Sequence, residues 1–427
     1  MTGTAEQSSK SRTVESYIHT AEIVERPLRE RPVRDTVGGI AEWLIGPALD
    51  VATGAEAVDE LAWRILAAGI PLARLTLHSG VLHPQFLGTS FTWWRDTGQT
   101  VQTFVEHEVR DVVPYQHNPV LRVIEGGETI RRRVDAPDGE LDLPILHDLK
   151  AKGCSDYLAL PIPGAHGRRY AVTFTTDHVE GFSDQQVTEL TGISQRMSVA
   201  CDSFGQHELT RHLLTIYLGP HAGPKVLAGQ VRRGTGEELT AVLWSSDLRG
   251  FTARSDHLPG QQMIAILNAL FDAQASAIHQ YGGEILKFIG DGLLAIFPID
   301  GTASARDATH NAMAAAVQAL EAVRQLSEHP SMVGEPALQI VVALHAGAVI
   351  YGNVGAADRL DFTVIGPAVN LVSRVENVAK TLGEPIVVTD DFAQTYGGSL
   401  RSLGIHQFRG VAKPRELFSA AAVAERE

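Results

Sequence analysis

The hydrophobic pattern from residue 240 onward alternates between strand-like and helix-like periods. Short apolar runs bounded by turn residues predict strands, whereas apolar residues that recur every three or four positions predict helices. Alternating strands and helices with one obvious hairpin predict an α+β sandwich of the ferredoxin-like kind. The predicted strands are 240–245, a strand-turn-strand unit at 284–297, 338–345 and 385–389, and the predicted helices are 262–281, 303–328 and 369–382.

The pattern between residue 39 and about residue 204 mixes helices and strands less regularly. Helical periodicity from Ile40 to Ala68 is interrupted near Gly46, Pro47 and Gly54. Short runs bounded by Gly and Pro predict strands at 72–78, 86–94, 157–161 and 170–175. Residues 1–35 are polar and rich in Arg and Glu, so we expect this segment to fray.

A further helix is predicted after Ser183, which serves as its N-cap, with Gln186 at the capping-box position. Apolar residues then alternate spacings of three and four, as in a short heptad seam. Such a seam can pair with a second copy of itself or pack on its own domain, and the pattern leaves both open. The seam residues are Leu190, Ile193, Met197, Ala200 and Phe204.

These patterns divide the chain into four segments. A polar N-terminal segment covers residues 1–38, and a mixed α/β domain covers 39–204. A helical linker at 205–239 includes the Gly- and Pro-rich joint at 219–236. The α+β domain follows at 240–427.

Composition narrows the class of protein and of partner. The chain has 427 residues, 44% of them hydrophobic and 20% charged, which is typical of packed globular domains. Its formal net charge of −14 argues against a nucleic-acid partner, because phosphate backbones bind basic surfaces. Cys154 and Cys201 lack the spacing of a metal site. No apolar run reaches membrane-helix length and no signal peptide is visible, so we expect a cytoplasmic protein without a membrane span.

The first chemical motif lies where the strand at 240–245 ends. An apolar strand delivers Asp247, and a short turn containing Gly250 follows. Such a turn can aim successive backbone N–H groups at an anion, as phosphate-binding loops do. Taken alone, an aspartate at a strand end is more often a turn or capping residue.

The second motif is the hairpin at 284–297, in which Gly-Asp-Gly makes the turn and Asp291 occupies its tip. Under period-two alternation Lys287 shares a strand face with Ile285 and Ile289. A cation among apolar residues is either an edge-strand lysine that prevents aggregation or a partner for a buried polar group, such as the base of a ligand.

The third motif lies on the predicted helix at 369–382. Asn370 and Arg374 are four residues apart and therefore share one face. Both side chains can donate hydrogen bonds to phosphate or ribose oxygens. By itself such a pair is more often an ordinary surface pair.

Together and in this order, the three motifs resemble the catalytic domain of the class III adenylate and guanylate cyclases. That family has Asp-Ile-x-Gly-Phe-Thr after a strand, Lys-x-Ile-Gly-Asp in a hairpin and Val-Asn-x-x-x-Arg on a helix. Here residues 247–252 read DLRGFT, 287–291 read KFIGD and 369–374 read VNLVSR. The segments HAG at 345–347 and GNVG at 352–355 match the family's middle strand and loop. The resemblance covers roughly residues 240–420.

The resemblance implies a phosphorus–oxygen lyase that uses two Mg²⁺ or Mn²⁺ ions. Asp247 and Asp291 would hold the ions, and the main-chain carbonyl of Leu248 would help one of them. Hard divalent cations prefer such oxygen ligands. The turn after Asp247 would cradle the leaving phosphates of the nucleotide through Leu248, Arg249, Gly250, Phe251 and Thr252.

The resemblance also implies how the nucleotide is chosen and held. In the family, Lys with Asp or Thr at two base-reading positions accompanies adenylate cyclases, whereas Glu with Cys accompanies guanylate cyclases. Lys287 and Thr363 occupy those positions here, which predicts ATP as the substrate. Asn370 would orient the ribose, Arg374 would stabilise charge on the α-phosphate, and Lys413 is the candidate for a further basic residue on the triphosphate.

Family members form the active site between two subunits. The aspartates come from one subunit, and the base-reading pair and the Asn/Arg helix come from the other. Since this chain carries both sets, the resemblance predicts a head-to-tail homodimer with two equivalent sites.

Residues 39–204 resemble a GAF-type sensor more weakly, through LALPI at 158–162, YAVTF at 170–174 and FSD at 182–184. Such domains bind a small molecule in a cleft and pass a signal through their last helix. The ligand is not indicated by the sequence. Side chains that could line a pocket, although core or surface positions are commoner for them, are Trp93, Trp94, His78, His83, His107 and His117.

Two other functions fit parts of the sequence. The chain could be a ligand-binding regulator with an inactive cyclase domain, although the intact Asp247, Asp291, Asn370 and Arg374 argue against it. It could instead make a guanine product, as a guanylate or a diguanylate cyclase. Residues 282–284 read GGE, as in the diguanylate family, but they precede the hairpin rather than form its turn.

Overall fold

The structure is a computed structural model that describes residues 14–26, 34–135, 141–230, 232, 234, 236–299, 304–328, 336–356, 358–411 and 413–420. Contacts divide the chain into two compact units, residues 1–213 and 214–427. The first unit is built on a seven-stranded antiparallel sheet with the strand order β1-β4-β3-β2-β7-β6-β5. Its strands are β1 (Ile18–Glu25), β2 (Arg74–Gly80), β3 (Phe86–Trp94), β4 (Gln99–Glu106), β5 (Ile130–Arg133), β6 (Asp156–Pro163) and β7 (Arg169–Thr176).

Helices cover both faces of this first sheet. Alternate residues of β6 serve the two faces, because strand side chains point to opposite sides. Leu158 and Leu160 join the core formed by α1, α2 and α6, whereas Tyr157 and Ala159 join the core formed by α4 and α5. The helices are α1 (Val37–Ile45), α2 (Gly54–Ala67), α3 (Val113–Gln116), α4 (Pro119–Gly126), α5 (Pro144–Ala151) and α6 (Asp184–Leu218).

The N-terminal segment contains a strand, so the expectation that residues 1–35 fray is wrong for Ile18–Glu25. This strand pairs in antiparallel fashion with β4, from Ile18 opposite Val105 to Glu25 opposite Gln99. An edge strand is stabilised largely by backbone hydrogen bonds, and half of its side chains face water. Such a strand needs few apolar residues, so the hydrophobic pattern did not predict β1. Residues 1–13 and 27–33 of the segment lie outside the described residues.

Helix α6 begins as predicted. The Ser183 hydroxyl accepts a hydrogen bond from the Gln186 N–H at 3.2 Å, and the Gln186 side chain accepts one from the Ser183 N–H at 2.9 Å. The seam residues Leu190, Ile193 and Met197 are buried against their own unit. Of the two alternatives left open for this seam, the structure shows packing on its own domain.

The second unit is built on an eight-stranded mixed sheet. Its strand order is β14-β15-β13-β11-β8-β10-β9, and β12 pairs with β11 outside this path. The strands are β8 (Gly236–Leu248), β9 (Glu284–Ile289), β10 (Gly292–Ile299), β11 (Ile340–Gly355), β12 (Leu360–Ile365), β13 (Ile386–Thr389), β14 (Arg401–His406) and β15 (Arg415–Ser419).

The central strand β8 shows why this sheet is a middle layer. Val242 and Trp244 pack against α9 and α10, whereas Ala241 and Leu243 pack against α11. A strand that is apolar on both sides needs helices on both faces. The helices are α7 (Ala222–Leu227), α8 (Phe251–Ser255), α9 (Gly260–Gln280), α10 (Ala305–Leu326), α11 (Pro367–Leu382) and α12 (Asp390–Tyr396).

The predicted elements of the second unit are present, with different ends. The largest difference is β11, which continues to Gly355 where the sequence predicted an end at His345. The α+β class is confirmed for this unit, while the predicted boundaries at 38, 204 and 239 remain predictions. Among helices of the described ranges, none has both the length and the hydropathy needed to span a bilayer.

A glycine before β9 provides a test of this packing. A Cβ added to Gly283 would lie 2.7 Å from the Ile278 side chain and 2.7 Å from the Phe297 ring. Gly283→Ala should therefore lower the free energy of unfolding by about 1–3 kcal/mol, through overpacking. The measurement is the midpoint of denaturant unfolding.

Gly260→Ala is the matched control. Nothing lies within 4 Å of a Cβ at Gly260, the first residue of α9. Alanine in a helix should be neutral or stabilising by up to about 1 kcal/mol. Equal destabilisation by both variants would contradict the packing described for Gly283.

Candidate functional site

Asp247 and Asp291 lie together at one end of the second sheet. Asp247 is next to the last residue of β8, and Asp291 is in the turn between β9 and β10. Strand β10 pairs with β8 so that Leu293 lies opposite Ser246. A Cβ at Gly292 would be 2.4 Å from the Ser246 carbonyl oxygen and 3.1 Å from an Asp247 carboxylate oxygen. Glycine at 292 therefore allows the hairpin tip to approach the end of β8.

The electrostatics of Asp247 reflect this crowding. Burial raises the pKa of Asp247, the hydrogen bond from the Lys380 ammonium acts in the opposite direction, and the charge of Asp291 adds to the rise. Lys380 forms ion pairs with Asp247 and with Glu376, the latter at 2.9 Å. A cation is thus already part of the surroundings of the two carboxylates.

Lys380 and Glu376 were not predicted from the sequence as site residues. Both lie on α11, the helix that carries Asn370 and Arg374, and Glu376 also accepts a hydrogen bond from the Ser245 hydroxyl. Their i,i+4 spacing was the available signal. It was uninformative because such pairs are common on exposed helix faces.

The turn after Asp247 supplies backbone groups more than side chains. Leu248 is buried in the core. The Arg249 guanidinium donates to the Glu384 carbonyl at 2.9 Å, so this side chain is engaged away from the turn. Gly250 has φ +71, a left-handed conformation that favours glycine, and Phe251 and Thr252 open the short helix α8.

Lys287 lies on β9, but it does not share a strand face with Ile285 as the sequence predicted. Lys287 pairs with Leu294 and Ile285 with Ala295, so Leu286 is an extra residue in a β-bulge. Since Leu294 and Ala295 point to opposite faces, Lys287 and Ile285 do too. Lys287 is half-buried.

Thr363 carries an unpaired polar group. It lies on β12 with 5% of its surface exposed. Its hydroxyl oxygen has no hydrogen-bond partner among the residues that the structure describes. A buried hydroxyl without a partner is uncommon and costs free energy. Strands β12 and β9 contact each other although they do not pair in the sheet, so Thr363 and Lys287 lie on two contacting strands.

Asn370 and Arg374 lie apart from the aspartates. Both line a cavity of about 910 Å³ that is also lined by His345, Gly410 and Arg415. Asn370 is ten residues before Lys380 on α11, a rise of about 15 Å along the helix axis. One chain therefore does not bring Asn370 to Asp247, the aspartate that Lys380 contacts.

The remaining predicted residue, Lys413, is exposed and is not among the residues that line this cavity. The roles assigned to all of these residues remain predictions.

The donors near Asp247 fit hard divalent cations. Two adjacent carboxylates, one of them with a raised pKa, gain from a positive charge, and oxygen is the ligand type that Mg²⁺ and Mn²⁺ prefer. Within the described ranges no cluster of three or more His, Cys, Asp or Glu side chains could hold a metal. Main-chain carbonyl or substrate oxygens would have to complete the coordination.

Comparison with known proteins matches part of the second unit to a family. Residues 237–401 match the family described as the adenylate and guanylate cyclase catalytic domain. An adenylate cyclase of Anabaena cylindrica is 34% identical over 148 residues, which are 34% of this chain and 28% of that protein. The chain spans less than half the length of the curated relatives it matches.

Solved structures of cyclases resemble part of the chain. The adenylyl cyclase CyaB from P. aeruginosa aligns with 43% of this chain and 95% of its own, at 26% identity and a TM-score of 0.40. The guanylyl cyclase Cya2 aligns with 43% of this chain and 92% of its own, at 28% identity and a TM-score of 0.38. The names include both nucleotide specificities, so they do not decide between ATP and GTP.

The unpaired Thr363 hydroxyl leads to a stability prediction. Thr363→Val removes a hydroxyl that has no partner and keeps the shape of the side chain. The free energy of unfolding should therefore stay the same or rise by up to about 1 kcal/mol. Thermal or denaturant unfolding of the protein without nucleotide measures it.

Thr389→Val is the matched control. Thr389 is fully buried, and its hydroxyl forms a hydrogen bond with His345 Nδ1 at 2.8 Å. Removing it should lower the free energy of unfolding by about 1–3 kcal/mol. A loss at Thr363 as large as that at Thr389 would mean that the Thr363 hydroxyl is bonded in the free protein.

Proposed function

Residues 237–401 form a catalytic domain of the adenylate and guanylate cyclase family, and from this premise we propose that the protein is an adenylate cyclase. It would convert ATP into 3′,5′-cyclic AMP and pyrophosphate. The adjacency of Asp247 and Asp291 at the end of β8 carries the proposal, because two adjacent, half-buried carboxylates suit the metal-assisted phosphoryl transfer of this family. The N-terminal unit would act as a sensor.

Asp247, Asp291 and the Leu248 carbonyl would hold two Mg²⁺ or Mn²⁺ ions. Bound there, the ions would acidify the ribose 3′-hydroxyl and neutralise charge on the triphosphate. The 3′-oxygen forms a bond to the α-phosphorus, the bond from that phosphorus to the bridging oxygen breaks, and pyrophosphate leaves. The hydroxyl proton passes to solvent.

The chain's own groups would bind and orient the nucleotide. Backbone N–H groups of the turn at 248–252 suit the β- and γ-phosphates, since a left-handed Gly250 helps them converge on an anion. Asn370 would fix the ribose, and the Arg374 guanidinium would stabilise negative charge on the α-phosphate. Lys413 would contact the triphosphate.

Lys287 and Thr363 would select adenine. Adenine offers an acceptor at N1 and a donor at N6, which a lysine ammonium and a threonine hydroxyl can meet. The partnerless hydroxyl of Thr363 supports this assignment. A site with an unpaired buried polar group discriminates strongly against a ligand that leaves it unpaired.

The separation along α11 supports a site shared by two chains. Lys380 contacts Asp247, whereas Asn370 lies about 15 Å away along the same helix. A second copy of the chain could bring its Asn370 and Arg374 to the aspartates of the first. We therefore assign the active form to a homodimer with two equivalent sites.

The direct test is an assay of the full chain on ATP and on GTP with Mn²⁺ or Mg²⁺. We expect cyclic AMP and pyrophosphate in equal amounts, with ATP preferred. Asp247→Ala should reduce the rate by at least about 100-fold, since it removes a metal ligand. Asp272→Ala, an exposed aspartate on α9, is the matched control and should leave the rate unchanged.

Each outcome bears on one claim. Equal turnover of ATP and GTP would overturn the base assignment, and a preference for GTP would support a guanylate cyclase. No turnover of either nucleotide by a folded, dimeric protein would favour the inactive regulator.

Mixing two inactive variants tests the shared site. Asp247→Ala chains and Arg374→Ala chains should each be inactive alone. In a heterodimer one of the two sites receives both mutations and the other receives none, so activity should return to about half per heterodimer. Cyclic AMP formation after subunit exchange measures this. A mixture as inactive as both parents, with heterodimers demonstrated by mass, would contradict the shared site.

A further inference from the structure

The first unit contains a large apolar cavity between its sheet and helix α6. The volume is about 480 Å³, within the range of small-molecule sites. Its walls include Trp43 of α1, Leu61 of α2, Phe91 of β3 and Met197 of α6. The Trp and His residues named from the sequence as possible pocket residues are not among the lining residues, and Trp93 is fully buried in the core.

The polar groups in the interior of this cavity already have partners. The Thr89 hydroxyl donates to the Thr103 carbonyl at 3.0 Å, and the Tyr170 hydroxyl donates to Asp202 at 2.8 Å. Burial raises the pKa of Cys201 to about 12, so its thiol is an uncharged part of the wall. An apolar cavity whose polar groups are satisfied holds water poorly and accepts an apolar body.

Charge is confined to one end of the cavity. Arg110 follows β4, and Arg168 and Arg169 lie at the start of β7. The Arg110 guanidinium is exposed, and the structure gives it no hydrogen bond or ion pair with any described residue. The acidic residue at this end, Glu208, is paired with Arg211 at 2.7 Å. Arg168 donates to the Gln206 side chain at 3.0 Å, and Arg169 donates to the Glu125 carbonyl at 2.8 Å. The Arg110 guanidinium therefore remains available to an anionic ligand at this end.

From these features we infer that the N-terminal unit binds an amphipathic carboxylate, with its apolar body in the cavity and its carboxylate at Arg110. Arginine matches a carboxylate in charge and in geometry. A neutral ligand would leave the Arg110 guanidinium without an ionic partner. A cationic amphiphile would be repelled by Arg110.

One wall of the site is the helix that leaves the unit. Lining residues recur along α6 at the spacing of one helix face, from Met197 to His212. The ligand would therefore touch about four turns of α6, which continues to Leu218. Occupancy can change the stability of this helix without any contact to the second unit.

Dodecanoate, dodecan-1-ol and dodecylammonium are matched probes for this site. Titration calorimetry on the full chain, with each probe below its aggregation limit, measures affinity and stoichiometry. We expect one dodecanoate per chain, bound at least about fivefold more tightly than the alcohol. The ammonium should bind most weakly. Equal affinities for acid and alcohol, or no binding of either, would overturn the inference.

Two substitutions locate the probe. Ala200→Phe places a ring in the cavity from α6 and should weaken dodecanoate binding at least about tenfold. Val199→Phe, at an exposed neighbouring position on the same helix, should leave dodecanoate binding unchanged.

Arg110→Ala should weaken dodecanoate binding about fivefold and leave dodecan-1-ol binding unchanged. Arg196→Ala, in the same unit but outside the cavity, is its control and should change the binding of neither probe.

Unfolding midpoints of all four variants show whether each is folded. Dodecanoate binding that survives Ala200→Phe in a folded protein would place the probe elsewhere and refute the site. If Ala200→Phe does not fold, Arg110→Ala decides, because this exposed side chain makes no contact that folding needs. An equal loss of acid and alcohol binding in Arg110→Ala would refute the role of its charge.

Discussion

The second unit depends on the close approach of a hairpin tip to the end of its central strand. Gly292 lets β10 begin against the Ser246 carbonyl, and this brings two carboxylates side by side at a sheet end. The charge of Asp291 raises the pKa of Asp247, and this crowding of like charges opposes folding. Lys380 forms an ion pair with Asp247 and offsets part of that cost.

Helix α11 links this constraint to the rest of the unit. One face, including Val372 and Val375, is buried against the sheet. The other positions carry Lys380 near its end and Asn370 near its beginning. Because an α-helix rises about 1.5 Å per residue, the two ends serve different places. A rigid helix packed on a rigid sheet cannot bring both of its ends to one point. The geometry of the helix therefore keeps Asn370 and Lys380 in different places.

Much of this could be predicted from the sequence, for physical reasons. Strands buried on both faces and helices with an apolar stripe leave strong periodic signals, and the capping box of α6 is a local motif. The bulge at Leu286 could not be predicted from the sequence. One extra residue in a strand moves the following side chains to the opposite face of the sheet without changing the composition of the strand. Strand β1 was not predicted, because backbone hydrogen bonds hold it to β4 and its side chains show no hydrophobic pattern. Lys380 and the cavity arise from contacts between distant segments, which no local pattern records.

The unpaired hydroxyl of Thr363 has a consequence for how this sequence can change over generations. Folding alone favours an apolar residue at this buried position on β12, since the hydroxyl has no hydrogen-bond partner in the part of the chain that the structure describes. Random substitution there is thus biased toward loss of the hydroxyl, and the base selection proposed for Thr363 would oppose that bias. Nucleotide preference in such a domain would drift readily under relaxed selection, while the fold itself stayed sound.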